Sequence, residues 1–194
     1  MYPNIPWIVY ISPIIWVFPA FKQYREKFFL FFLIIAVGDP IGLTIIYILK
    51  NNIGPIQPLI VSFLLVISVI NTEKLKNNWF VIIIVLSTIF MIPIIYGHSN
   101  AYYIVIILFH LMIFYKILIL FIKKYLETRN IDLFYVLIML YILLNIFKVN
   151  GLVFQFENAK LYHFVTTVFQ TAIGIYFSLI KESSPKNLIR INTL

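Results

Sequence analysis

Seven runs of about 20 apolar residues, each closed by a short polar break, constrain this 194-residue chain more than any other feature. A hydrocarbon layer about 30 Å thick is crossed by about 20 apolar residues in α-helix. Inside that layer every backbone N–H and C=O must be bonded within the protein, which favours helices. The runs cover residues 4–20, 28–49, 56–71, 79–97, 101–122, 131–149 and 161–180. Only 11% of the residues are charged against 62% hydrophobic, so a soluble core of this size would expose mostly hydrocarbon. The expected fold is all-α: a polytopic integral membrane protein, built as a compact bundle of seven transmembrane helices. Residues 1–180 form one domain and 181–194 a short basic tail.

The breaks set the orientation. Lys22, Arg25, Lys27, Lys74, Lys76, Lys123, Lys124, Arg129, Lys181, Lys186 and Arg190 fall on one side of the bundle. Lys50, Lys148 and Lys160 fall on the other, and Lys116 lies within the fifth run. An excess of cations in short loops marks the cytoplasmic side. The amino terminus is therefore expected outside and the carboxyl terminus inside, in a bacterial inner membrane or its equivalent. The first run, interrupted by Pro3, Pro6, Pro13 and Pro19, lacks the basic region and small-residue cleavage site of a secretory signal. Loops this short make consecutive helices antiparallel neighbours and leave no room for a soluble domain. The chain has no cysteine, which excludes disulfides, thiolate metal sites and cysteine nucleophiles.

Polar groups within the runs carry the functional argument, because an ionised side chain in hydrocarbon costs about 2.5–3.5 kcal/mol. Asp39 is the one acid deep in a run, within the step Gly38-Asp39-Pro40 followed by Gly42. Asp39, His110 and Gln170 lie about 16, 18 and 15 Å from the cytoplasmic ends of their runs, counting 1.5 Å per residue. Three helices thus bring a polar side chain to one level, which Thr166, Thr167 and Thr171 extend and Ser87 and Thr88 approach. One reading makes Asp39 and His110, with Gln170, Thr167 and Thr171, a ligand pocket or proton path. The other makes them interhelical hydrogen bonds, worth about 0.6 kcal/mol each. Lys116 is expected to snorkel to the interface.

At the outer end His98, Asn145, Lys148, Glu157 and His163 form a second polar group. The loop at 150–160 either folds over the bundle mouth or is solvated. Three histidines without ligand spacing give no metal site, and no cofactor is implied. Trp7, Tyr10, Trp16, Trp79, Tyr96, Tyr102 and Tyr103 are expected in interfacial belts. On the inner face Lys22, Arg25, Lys27, Lys123, Lys124, Arg129, Lys181, Lys186 and Arg190 suit anionic lipid headgroups, a cytoplasmic effector protein or a second copy of the chain. Nucleic acid is not expected, since no groove-reading motif or aromatic interleaving accompanies the charge.

Seven spans in this orientation resemble the microbial rhodopsins and the G-protein-coupled receptors. Retinal would need a lysine within 161–180, where there is none. The topology also resembles the sugar transporters of the SWEET type, although Gln57-Pro58 reverses their proline–glutamine order. Gly38-Asp39 with His110 resembles the lysoplasmalogenase-type membrane hydrolases, which implies acid and base roles for Asp39 and His110. The expected function is a non-enzymatic module that binds or senses a small or lipidic ligand in the bundle and signals or docks through its cytoplasmic face. An oligomeric ion or proton channel and an intramembrane lipid hydrolase are the alternatives.

Overall fold

The computed structural model describes residues 7–48, 54–70, 79–96, 99–154 and 159–190. Within them lie seven helices: α1 (Ile8–Lys22), α2 (Phe29–Ile48), α3 (Ile56–Val69), α4 (Trp79–Tyr96), α5 (Ser99–Thr128), α6 (Leu133–Val153) and α7 (Ala159–Leu179). Each grows from one of the apolar runs, so the class is all-α. One element is new. Asn130–Asp132 (β1) and Leu188–Arg190 (β2) pair as an antiparallel ladder, with Ile131 opposite Ile189.

The helix bounds move most at α5 and α6. Helix α5 continues past residue 122 to Thr128, because Lys123, Lys124 and Glu127 favour helix and Lys123 meets Glu127 one turn on at 3.8 Å. Helix α6 starts where Asp132, buried at its N-cap, accepts from the Phe134 N–H at 2.9 Å. It runs on to Val153, so residues 150–153 are helix rather than external loop. Residues 155–158 of that loop, Glu157 included, lie outside the described residues, as does His98, and Ala159 and Lys160 already belong to α7.

The second carboxylate oxygen of Asp132 pairs with Lys124, whose side chain keeps 31% of its exposure. Asp132→Ala removes both cap and pair, but Lys124 can turn to water, so the expected loss is about 2 kcal/mol. Asp132→Asn keeps an acceptor for Phe134 and should lose about half as much. Unfolding titrations in detergent would measure both; equal losses would show that the cap contributes nothing.

Six helices close a ring in the order α1, α2, α3, α5, α6, α7 and back to α1, while α4 packs outside it against α5 and α3. Small residues permit two of these contacts. A methyl group on Gly42 would lie 2.0 Å from Gln57 Nε2, so α3 crosses α2 with the glutamine laid over the glycine. That amide also donates to the Gly38 carbonyl at 3.0 Å. On the other side of the ring a methyl on Gly174 would meet Trp16 Cε2 at 3.2 Å. Trp16, expected in an interfacial belt, is instead buried in the ring, because Gly174 lets the indole in.

Aromatic side chains fill one half of the ring. Trp16 tilts against Tyr141 at 4.6 Å, and Phe177 meets Phe32 at 4.9 Å and Phe134 at 5.1 Å. Such pairs contribute about 0.5–1.5 kcal/mol each beyond simple burial. This half adjoins the end carrying residues 23–28, 129–132 and 180–190, called here the basic end.

The basic end is latched by polar bonds. Gln23 is fully buried; its Nε2 donates to the Phe177 and Ile180 carbonyls at 3.0 and 2.7 Å, and its Oε1 accepts from Glu182 N–H at 2.8 Å. Glu182 Oε2 in turn accepts from the Phe28 N–H at 3.2 Å. Asn187 donates to the Lys181 and Glu182 carbonyls at 2.8 and 2.9 Å and accepts from the Tyr176 hydroxyl at 2.6 Å. The segment 181–190, expected as part of a short basic tail, is therefore folded onto the bundle. Its turn is set by Ser184 and Pro185, which open a short 3₁₀ segment at Pro185–Asn187 (η1).

Burial pushes the Glu182 carboxyl above its ordinary range; Glu26 adds to this, while the Phe28 N–H, Lys27 and Lys124 oppose it. The folded protein then holds a proton on Glu182 over a pH window in which the unfolded chain has lost it. Stability should fall as pH rises from the ordinary carboxylate value to the raised one, and level off above it. Glu182→Gln keeps a carbonyl oxygen for Phe28 and cannot ionise. That variant should lose this pH slope and be the more stable of the two at neutral pH. Thermal unfolding of both proteins across the acid range checks this, and an unchanged slope in the variant would refute it.

Candidate functional site

The other half of the ring is open. A cavity of about 570 Å³ is lined by all six ring helices and by no residue of α4. Trp16 and Tyr141 form its floor against the aromatic half, and it extends toward the end opposite the basic one, at Leu152 and His163. Ligand cavities commonly span about 300–1,000 Å³, so its size suits a small molecule.

Of the residues expected at mid-depth, Asp39, His110, Thr167 and Gln170 all line this cavity. Thr171 is buried and donates to the Thr167 carbonyl at 2.8 Å, away from the lining. Ser87 and Thr88 lie on α4, outside the ring, and do not join the layer. From the outer group Asn145, Lys148 and His163 line the same cavity, so the two polar groups read separately from sequence form one site.

Asp39 stands on α2 beside the Gly38–Gly42 crossing and is accessible because it borders the cavity. The cationic group whose field reaches it is Lys148 on α6. The two are not in ion-pair contact; among the described residues only Lys123–Glu127 and Lys124–Asp132 are. Lys148 instead donates to Gln170 Oε1 on α7. That bond orients the amide and leaves Gln170 Nε2 buried with no hydrogen-bond partner, although the residue is only 5% exposed. A buried donor left unpaired costs about 1–3 kcal/mol, so this is a place where a bound acceptor would be rewarded.

His110 has different company. Its Nδ1 lies 2.8 Å from the Ile106 carbonyl and 3.5 Å from Ser62 Oγ. A carbonyl only accepts, so Nδ1 carries the hydrogen, and in the neutral ring Nε2 is left as an acceptor. Thr167 Oγ1 donates back to the His163 carbonyl at 2.7 Å, which leaves its hydroxyl only as an acceptor toward the cavity.

The cations expected at the inner face gather at the basic end. Arg25, Lys27, Lys123, Arg129, Lys181, Lys186 and Arg190 are exposed there and Lys22 is half-buried, whereas Lys124 is engaged by Asp132. Among the described residues no group of three metal-ligating side chains forms.

Three residues of the site were not singled out in the sequence for the part they play. Tyr141 gave no signal within an apolar run. Gln57 carried one: it is a polar residue in the first turn of a helix, facing the Gly38–Gly42 pair whose four-residue spacing allows close approach. Trp16 was read by its depth alone. Neither protein-family profiles, curated proteins nor solved structures give a match to this chain.

Proposed function

We propose that the chain is a seven-span inner-membrane protein, amino terminus outside and carboxyl terminus cytoplasmic, that binds a small polar ligand from the outer side. The observation that carries the reading is the cavity held by six helices, floored by an aromatic pair and carrying Asp39, His110, Lys148 and Gln170 in its wall. Asp39 and Lys148 face it from different helices, an arrangement that structural hydrogen bonding alone does not require.

The membrane setting draws on exposure. Two helices are long and apolar enough to cross a bilayer, spanning Asn100–Thr128 and Leu133–Val153. Their most apolar windows are only 33% and 44% buried, unlike the core helices of a soluble protein. The remaining helices also turn large apolar side chains outward, among them Phe18, Leu30, Ile60, Ile84 and Phe169. Large apolar side chains on the outside of every helix are what lipid would solvate. The exposed cations then meet the cytoplasmic leaflet, where each near the surface is worth about 1 kcal/mol with anionic headgroups. The same face is where an effector protein would dock.

The channel reading has less behind it, because Trp16, Tyr141 and Phe177 stand between the cavity and the basic end. The hydrolase reading needs Asp39 and His110 to work on one proton, yet Asp39 answers to Lys148 and His110 is tied to Ile106.

Cysteine labelling in whole cells tests this directly, since the chain has no cysteine of its own. Asn145→Cys, in the cavity wall, should react with a small membrane-impermeant maleimide added outside. Lys186→Cys should react only after permeabilisation. The reverse pattern would overturn the orientation, and an Asn145→Cys that stays unlabelled on both sides would overturn the open cavity.

A further inference from the structure

The cavity has two unlike walls. On α6 and α7, Lys148 is bonded to Gln170 Oε1, and the paired side chains leave ammonium hydrogens and the unpartnered Gln170 Nε2 as donors. Lys148 and Gln170 Nε2 both give hydrogens, so what completes that pair is an anionic oxygen group. On α2, Asp39 offers two acceptor oxygens and a negative charge, so what completes it is a cationic amine. Lys148 and Asp39 are not in ion-pair contact, so each keeps bonding capacity for a ligand between them. The same cavity is lined by the tilted Trp16–Tyr141 pair, centroids 4.6 Å apart, whose π-faces tolerate a nearby cation.

We infer that the ligand of this cavity is dipolar, carrying an anionic oxygen group that seats on Lys148 and Gln170 and a primary amine that seats on Asp39. The inference rests on the cavity being a binding site and specifies its chemistry. Two sources share that chemistry: free amino acids or short peptides, and the phosphoethanolamine headgroup of a lipid. A neutral sugar or a simple anion would leave the Asp39 carboxylate facing a ligand with no positive charge.

Protection of the Asn145→Cys protein from maleimide, in nanodiscs of phosphatidylglycerol alone, tests the inference. The probes are a panel of free amino acids with di- and tripeptides, and in a separate arm glycerophosphoethanolamine. Each is paired with derivatives that lack one charge, N-acetylated or, for the carboxylates, amidated. At least one dipolar probe should slow labelling at least tenfold, and its single-charge derivatives should not. Protection by peptides alone identifies a soluble ligand; protection by glycerophosphoethanolamine alone identifies a lipid headgroup. Adding Asp39→Asn should abolish the preference for the free amine and Lys148→Gln the preference for the acid, whereas Lys148→Arg should retain it. Cooperative thermal unfolding of each variant shows that it is folded. Equal protection by single-charge derivatives, or labelling that no dipolar probe slows, overturns the dipolar ligand while leaving the cavity reading intact. Failure of Asn145→Cys to label at all removes both.

Discussion

Gln23→Leu should destabilise the protein by about 4 kcal/mol, more than any other single exchange at the basic end. Leucine matches glutamine in size but cannot bond, so three groups lose their partner together: the Phe177 and Ile180 carbonyls and the Glu182 N–H. Each buried group left unpaired costs about 1–3 kcal/mol, with carbonyls toward the lower figure. The site is fully buried, so the leucine also keeps water from replacing the lost bonds. Gln23→Ala makes a useful contrast. Its smaller side chain leaves room for water beside the same polar groups, so it should cost less than leucine despite removing more atoms. Unfolding titrations in detergent measure both, and proteolysis of segment 181–190 shows whether the tail is released. If alanine proves the costlier change, packing rather than hydrogen bonding holds this end.

The seven helices were legible because apolar run length is set by helix geometry, and no long-range information is needed to count runs. Their bounds were less so. At α5 the charged residues Lys123, Lys124 and Glu127 read as a loop, yet charge ends an apolar run without ending a helix. The pairing of β1 with β2 was invisible because each strand has only three residues, and their partnership joins positions far apart in the chain. Gln23 shows the same limit: it stands among Lys22, Arg25 and Lys27, and nothing local marks it as buried.

The site was half legible for a related reason. Depth along a helix can be counted from sequence, so Asp39, His110 and Gln170 were placed at one level. Rotation about the helix axis relative to neighbours is fixed by packing, so which of them face a common space was not readable. The link between Gln170 and Lys148 depends on how α6 and α7 meet, and it joins two residue groups that depth counted along the sequence separates. Thr171 sits one turn from Thr167 and still misses the cavity lining.

Trp16→Ala should cost about 3–5 kcal/mol, the range for removing a buried aromatic side chain. The indole is 2% exposed and packs against Tyr141, Phe32 and Phe177, with Gly174 closing on it from α7. Removing it opens the wall between the cavity and the aromatic half of the ring. Neighbouring helices cannot collapse into the gap without giving up the contacts that close the ring. Phe18, two residues along the same helix, provides the comparison: it is 56% exposed on the outer surface. An outward side chain makes few contacts within the protein, so Phe18→Ala should cost less than about 1 kcal/mol. Trp16→Phe, keeping most of the ring volume, should fall between the two. The ordering depends only on which face of α1 turns inward, and unfolding titrations of the three variants read it out. Equal losses for Trp16→Ala and Phe18→Ala would mean that α1 is rotated from the orientation described, and the cavity floor with it.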